Sequence, residues 1–192
     1  VPSEAAQRLL SNSIKECLMH GAGRLDPWVR TEIGQRLDYL LTVCGGSEFD
    51  GMLAELIQAG DESVSAAAID VVGHTFTNGY TSTEIMSAFG RACSRLENSI
   101  CNAICAAAGR SSNLRTDAAT QVIARCLSKS QRSKQAAFEA LARVPILASK
   151  YWDKIINGID DNNYQTSRLA SIAAMNAGLN VDVISLNAAR KD

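Results

Sequence analysis

Proline is scarce in this chain, with 3 among 192 residues, and aromatic residues make up only 5%. Proline removes a backbone donor and clashes with the preceding helical turn, so its scarcity leaves long stretches open to helix. No convincing alternating strand pattern is present, nor an Asn-Gly turn between β-branched runs, which argues against a β-rich fold. Histidine occurs only at His20 and His74, leaving carboxylates as the main material for any acid–base chemistry. No run approaches the ~18 apolar residues that a membrane span requires, and the start carries neither a secretory nor an Arg-rich, Ser-rich transit pattern. The chain opens on Val1 rather than Met, which is compatible with a removed leader or a longer parent. Gly45-Gly46 and Gly21-Ala22-Gly23 lack the Lys-Ser/Thr and the preceding strand of a phosphate-binding loop.

What is present favours one all-α unit. With 46% apolar and 20% charged residues, a chain of this length can bury roughly 70% of its unfolded surface. The six cysteines, at 17, 44, 93, 101, 105 and 126, fall inside predicted helices and make no loop-rich framework. They are expected to be reduced, buried, small apolar residues, and with no Asn-x-Ser/Thr sequon a reducing compartment is the simpler setting.

Apolar residues recur at helical spacing in pairs of segments. The pattern predicts helices over Glu4 to His20 and from Pro27, with Asp26 as its cap, to Gly45. Phe49 to Gln58 pairs with Glu62 to Thr77, Ser82 to Ala92 with Glu97 to Ala108, and Thr116 to Ser128 with Ser133 to Val144, which Pro145 stops. The last pair spans Tyr151 to Met175 and ends at Gly178, after which another helix starts. Second helices align on Val29, Val64, Ser99, Ser133 and Ser167, at intervals of 35, 35, 34 and 34. First helices align on Leu53, Met86, Ile123 and Ile156, at 33, 37 and 33, with the variation in the turns. Regular spacing of this kind predicts a right-handed α-solenoid of about five two-helix repeats, with a helical bundle as the alternative. The expected organisation is a helix pair over 1–45, four repeats over 46–182 and the start of a further or capping helix over 183–192.

The charge is segregated although the net charge is −1. Residues 1–109 carry seven cations against thirteen anions, residues 110–154 nine against three, and residues 155–192 three against four. Arg125, Lys129 and Arg132 recur at i, i+4 and i+7, which places them on one face if the helix continues through its turn. With Arg110, Arg115, Lys134 and Arg143 nearby, this segment suits an anionic partner such as nucleic acid, and an ordinary solvated face is the plainer reading. Two pairings have residue types suited to other chemistry. Cys17 with His20 and Cys101 with Cys105 have metal-ligand types, but one repeat separates them. Asp70 and His74 stand at i, i+4 without a nucleophile beside them, so a capping or surface His is expected. No catalytic set emerges.

A two-helix unit of 34 to 35 residues resembles the pentatricopeptide repeat. Met175-Asn176-Ala177-Gly178-Leu179-Asn180-Val181-Asp182-Val183-Ile184-Ser185-Leu186-Asn187-Ala188 is similar to that family's junction between repeats, with Val181 where Pro is usual and Leu186 where Tyr is usual. Ile155 to Ile159, Phe49 to Leu53 with Ala59-Gly60-Asp61, and Met86 to Ala92 resemble its first helix and turn. The tetratricopeptide pattern fits less well, since only Pro145 closes a second helix as that family requires, and HEAT repeats are matched only by Asp26 to Arg30 and Val64 to Gly73.

The resemblance implies a non-catalytic role with no cofactor and no metal, in which single-stranded RNA lies along a groove read by two residues per repeat. Carried over, the pairs are Asp50 with Asn78, Thr83 with Arg115, Thr120 with Ala148, and Asp153 with Asp182, followed by Asn187. Thr83, Thr120, Asn187, Asn78 and Asp182 are residue types the family uses for base edges. Asp50, Asp153, Arg115 and Ala148 are not, which favours shape or phosphate contact over base reading. The resemblance also implies a ribosome or RNA-processing assembly of mitochondrion or plastid, or otherwise the cytoplasm, with RNA or protein subunits as partners and neither membrane nor small-molecule substrate. A protein-binding scaffold without RNA is the competing expectation, favoured by the acidic Asp50, Asp153 and Asp182.

Overall fold

The structure, a computed structural model, describes residues 3–21, 27–44, 47–76, 80 and 82–178. Every regular element among them is helical. The chain divides into a first unit, Val1–Val122, and a second, Ile123–Asp192, with the boundary falling inside one helix.

In the first unit the helices are α1 (Glu4–Gly21), α2 (Pro27–Cys44), α3 (Ser47–Ile57), α4 (Glu62–Thr75), α5 (Thr83–Ala92) and α6 (Asn98–Arg110), followed by a 3-10 turn, Ser112–Leu114. α7 (Asp117–Cys126) begins here and ends in the second unit. The observed bounds follow the expected ones within a few residues at each end. Helix starts carry oxygen-bearing caps: Asp61 Oδ1 accepts from the backbone N–H of Ser63 and Val64, at 2.8 and 3.1 Å, and Ser82 Oγ accepts from Ile85 N–H.

Packing in this unit runs mainly between helices two apart in the chain, and α3 also lies on its neighbour α4. α2 lies on α4 and α4 on α6, while α1 lies on α3 and α3 on α5. The core they enclose contains Phe49, Leu53, Ile57, Val71, Val72, Ile85, Phe89, Ile100 and Ile104, all essentially without solvent contact. Small residues make the second helices approach closely. A Cβ added at Gly73 of α4 would lie 2.7 Å from Ala107 Cα and 2.8 Å from Ala107 Cβ of α6, inside the ~3.5–4.0 Å at which carbon atoms pack. Between α2 and α4, Thr75 Oγ1 donates to the Gly34 carbonyl at 3.3 Å. Asp70 then ties all three together, with Arg30 of α2 at 3.1 Å and Arg110 of α6 at 2.5 Å on its two carboxylate oxygens.

The second unit contains α8 (Gln131–Arg143), α9 (Pro145–Ala148), a 3-10 turn (Ser149–Tyr151), α10 (Trp152–Ile159) and α11 (Tyr164–Asn176). α11 packs on α8 and α10, and α9 touches α8 and α11. Phe138, Leu141, Ile155, Ala170, Ala173 and Ala174 form its core. Pro145 does more than stop a helix: it takes the first position of α9, where its missing N–H is no loss. Neither α9 nor the two 3-10 turns were expected, since pieces of three or four residues are too short to show a period.

The caps recur at a spacing that can be read without the apolar pattern. The N-cap residues of α4, α6, α8 and α11 are Asp61, Glu97, Ser130 and Asn163, at intervals of 36, 33 and 33. Four residues past the first and last of these caps stand Ser65 and Ser167. Each hydroxyl donates, at 2.6 Å, to the carbonyl that ends the preceding helix, Ile57 and Ile159 respectively. This shared bond pairs Ser65 with Ser167, one residue away from the Val64 alignment that the apolar pattern suggested. The expected helix from 183 lies outside the described residues.

Candidate nucleic-acid interface

The nine residues expected to face RNA divide by where they stand. Asn78, Asp182 and Asn187 lie outside the described residues. In the first unit, Thr83 is the exposed first residue of α5. Arg115 follows the 3-10 turn, half-buried, and its Nε donates to the Ala108 carbonyl at 2.9 Å, closing the end of α6. Thr120 is half-buried on α7. Of the positions paired with them by resemblance, Ala148 is fully buried and so offers nothing to a ligand. Asp50 is occupied by Tyr80, whose hydroxyl sits 2.8 and 2.9 Å from its two oxygens. That phenol is also half-buried and edge-on to Phe76, and desolvation, then the Asp50 hydrogen bond and charge, push its ionisation well above the ordinary range. Asp153 is exposed in the first turn of α10.

Arg125, Lys129 and Arg132 do not share one continuous helical face. α7 ends at Cys126, and turn bonds from Ser128 N–H to the Arg125 carbonyl and from Lys129 N–H to the Cys126 carbonyl, both 3.1 Å, tighten the chain out of the helix. Ser130 then caps α8 through Ser133 N–H. Arg125 therefore sits half-buried at the end of α7, Lys129 in the turn and Arg132 exposed in the first turn of α8.

Following each cation to its partner separates the two units. In the first, Arg8 meets Glu48, Lys15 meets Glu55, Arg36 meets Glu32 and Arg95 meets Glu97. Arg30 and Arg110 share Asp70, Arg91 donates to Gln58 and Ser87, and Arg115 donates to Ala108. Each described cation of that unit thus has a partner. In the second unit Lys134 reaches Asp161 at 3.3 Å and Arg143 reaches Glu139 at 3.0 Å. Arg132, Lys150, Lys154 and Arg168 are exposed and form no ion pair with a described residue. The second unit carries ten Lys and Arg against six Asp and Glu, a net +4.

One of these four, Lys154, lines a cleft of about 300 Å³ enclosed by the turn after α7, by α8 and by α10. The wall comprises Leu127, Ser128, Lys134, Phe138, Asn157, Gly158 and Asp161 besides Lys154. Gly158 fixes the floor: a Cβ there would run into the ring edge of Phe138, with Cε2 at 2.8 Å, and would lie 3.0 Å from Ala170 Cβ. Asp161 is held on several sides. Its Oδ1 accepts from Asn163 N–H and from Gln131 Nε2, both at 2.9 Å, and its Oδ2 from Lys134 Nζ. The Asn163 N–H, Gln131 and Lys134 together hold its carboxyl below the usual Asp value, so it stays ionised and its charge is met locally. Asn157 is exposed at the mouth, and its side chain makes no hydrogen bond to a described residue. Neither Lys154 nor Asn157 stood out in the sequence, because a lone Lys and a lone Asn on a short helix carry no periodic signal.

The other candidate chemistry dissolves into structure. His74 is half-buried with Nε2 3.2 Å from Thr31 Oγ1, not at the surface or a cap, and Asp70 beside it is engaged by two arginines. His20 pairs with Glu16 at 3.0 Å. Cys93, Cys101, Cys105 and Cys126 are buried thiols, whereas Cys17 is exposed, contrary to the expectation for it. Among the described residues no group of three or more His, Cys, Asp or Glu is arranged to hold a metal ion, and no helix is long and apolar enough to cross a membrane. No protein-family model matches the chain, and no curated protein matches it.

Proposed function

We propose that this chain is a non-catalytic helical-repeat protein that binds RNA through the phosphate backbone, using its second unit. In this reading its helix pairs are repeats of a right-handed α-solenoid of the pentatricopeptide kind, within a mitochondrial or plastid ribonucleoprotein. The organellar setting rests on the family resemblance alone. The observation that carries RNA contact is the set of exposed cations, Arg132, Lys150, Lys154 and Arg168, with no carboxylate partner among the described residues, in a unit of net +4. Cations already matched by acids release few counterions on meeting phosphate, whereas unmatched ones release them fully and give salt-dependent affinity. The test is fluorescence anisotropy of a labelled single-stranded RNA across 50 to 200 mM salt (about the range over which counterion release is readily seen). Affinity should fall as salt rises, and the double reversal Arg132→Glu, Arg168→Glu should weaken it by about tenfold or more. Absence of binding at the lowest salt, or binding indifferent to the reversal, overturns the reading.

A protein-binding scaffold is the second reading. It is favoured by Leu9, Leu10 and Met19, large apolar side chains exposed on α1. Partner capture that survives nuclease, together with no RNA binding by the isolated chain, would support it.

A further inference from the structure

The cleft between α8 and α10 has a composition that the basic surface around it lacks. Its size, about 300 Å³, is at the lower end of ligand-holding clefts and far too small for a partner helix, whose diameter is ~10 Å or more. Its polar groups differ in kind. Lys134 uses one of its three donors on Asp161, leaving two, and Lys154 retains all three. Asp161 is the one carboxylate in the wall, and its oxygens are taken by Lys134, Gln131 and Asn163 N–H. The wall is thus net positive by one charge. Asn157 adds an amide, which offers a donor and an acceptor side by side, the pattern that matches the edge of a base. Behind them Gly158 lies close against the Phe138 ring, which brings α10 near α8 at the base of the cleft.

We infer that this cleft seats one nucleotide of a bound RNA strand, with Lys154 and Lys134 on its phosphate and Asn157 at its base edge. The inference rests on the RNA reading above and assigns it a place. It also differs from the groove positions implied by the repeat resemblance, since Asp153 of the same helix is not part of the wall.

The experiment compares the full chain with Lys154→Gln, Asn157→Ala and Arg168→Gln, the last an exposed cation outside the cleft that should lose one phosphate contact and no base contact, each checked for unchanged helical content by circular dichroism. Binding is measured against a single-stranded RNA over a salt series and against the same strand with abasic sites. Lys154→Gln should lower the slope of log affinity against log salt by about 0.7, the value of one phosphate contact on a single strand. Asn157→Ala should leave that slope unchanged, weaken binding to the intact strand about fivefold, as for one lost hydrogen bond, and leave binding to the abasic strand as it was. If Arg168→Gln alters the slope while Lys154→Gln and Asn157→Ala change nothing, the cleft assignment is wrong and the RNA reading stands. If Asn157→Ala weakens both strands equally, the base contact is refuted. If no variant nor the parent binds RNA, both the assignment and the reading beneath it fall. Saturable competition by a free mononucleotide, with no preference for the strand, would also overturn it in favour of a small-ligand pocket.

Discussion

Replacing Gly73 by Ala tests how closely the second helices of the first unit approach. Two effects oppose each other. In a helix interior Ala is favoured over Gly by about 1 kcal/mol because the unfolded chain loses less freedom on folding. Against this, the new methyl would sit 2.7 Å from Ala107 Cα and 2.8 Å from its Cβ, so α4 and α6 must separate by about 0.7–1 Å to restore ordinary carbon contact. Overpacking of that kind costs about 1–3 kcal/mol, and since one obstructing atom is backbone, no rotamer change relieves it. The clash wins, and the variant should be destabilised by about 1–2 kcal/mol. Gly90 provides the control within the same unit. It is inside α5, and nothing lies within 4 Å of a Cβ placed there, so Gly90→Ala should gain about 0.5–1 kcal/mol. Urea unfolding followed by far-ultraviolet circular dichroism would show the two variants moving in opposite directions, with a midpoint difference of about 1 M if the slope is ~2 kcal/mol/M. Equal stabilisation of both would refute the close α4–α6 approach.

Two further substitutions probe the charges and hydroxyls of the first unit. Asp70→Ala leaves Arg30 and Arg110, both mostly buried, facing each other without an anion. It should cost about 2–4 kcal/mol in urea unfolding, and Asp70→Ala combined with Arg110→Met should recover part of that loss; no recovery would mean the bridge does not couple α4 to α6. Tyr80 contributes to the alkaline limb. Its folded ionisation lies above the phenol's ordinary value of 10.0, so the neutral form is favoured in the fold and its contribution is complete below pH 10. That contribution is lost as pH rises towards the folded value, because the unfolded chain releases the proton first. Tyr80→Phe should therefore lower stability at neutral pH by about 1 kcal/mol and flatten its decline above pH 10, both read from urea midpoints measured against pH.

Helices were legible because each has a face and an end. Asp61, Ser82 and Asn163 are small oxygen-bearing residues placed before apolar periodic runs, and all three accept backbone N–H bonds in the fold. The spacing between pairs was legible only coarsely: the offset of the caps at 61, 97, 130 and 163 from the Val64, Ser99, Ser133 and Ser167 alignment varies by up to two residues, since Ala and Ser in the second helices mark contact positions without saying which turn meets which. What was not legible is the use made of charge. Arg125, Lys129 and Arg132 have helical spacing, yet Ser130 caps a new helix between the second and third of them. A polar side chain at the right distance from the chain's own N–H groups outweighed the period. Likewise nothing in the sequence says that Asp70, forty residues from both Arg30 and Arg110, pairs with both, or that Asp161 holds Lys134.

This last point sets how strongly the chain can hold RNA. Residues 110–154 carry nine cations, a number that suggests a steep salt dependence. Yet Arg110, Arg115, Lys134 and Arg143 already have partners, and Arg125 is half-buried. Their charges are already met within the protein, so they release few counterions on meeting phosphate; Lys134 can still donate to a phosphate through its remaining N–H groups without leaving Asp161. Among the described residues the exposed cations that form no ion pair are Arg132, Lys150, Lys154 and Arg168. Four phosphate contacts on a single strand give a log–log slope near −3, which is a fall in affinity of about fiftyfold between 50 and 200 mM salt. A slope near −6 would require the paired cations to open, with loss of the Asp70 and Asp161 bridges. A slope of about −3 instead identifies a modest, local phosphate interface in the second unit, in which each single-cation variant should remove an equal share.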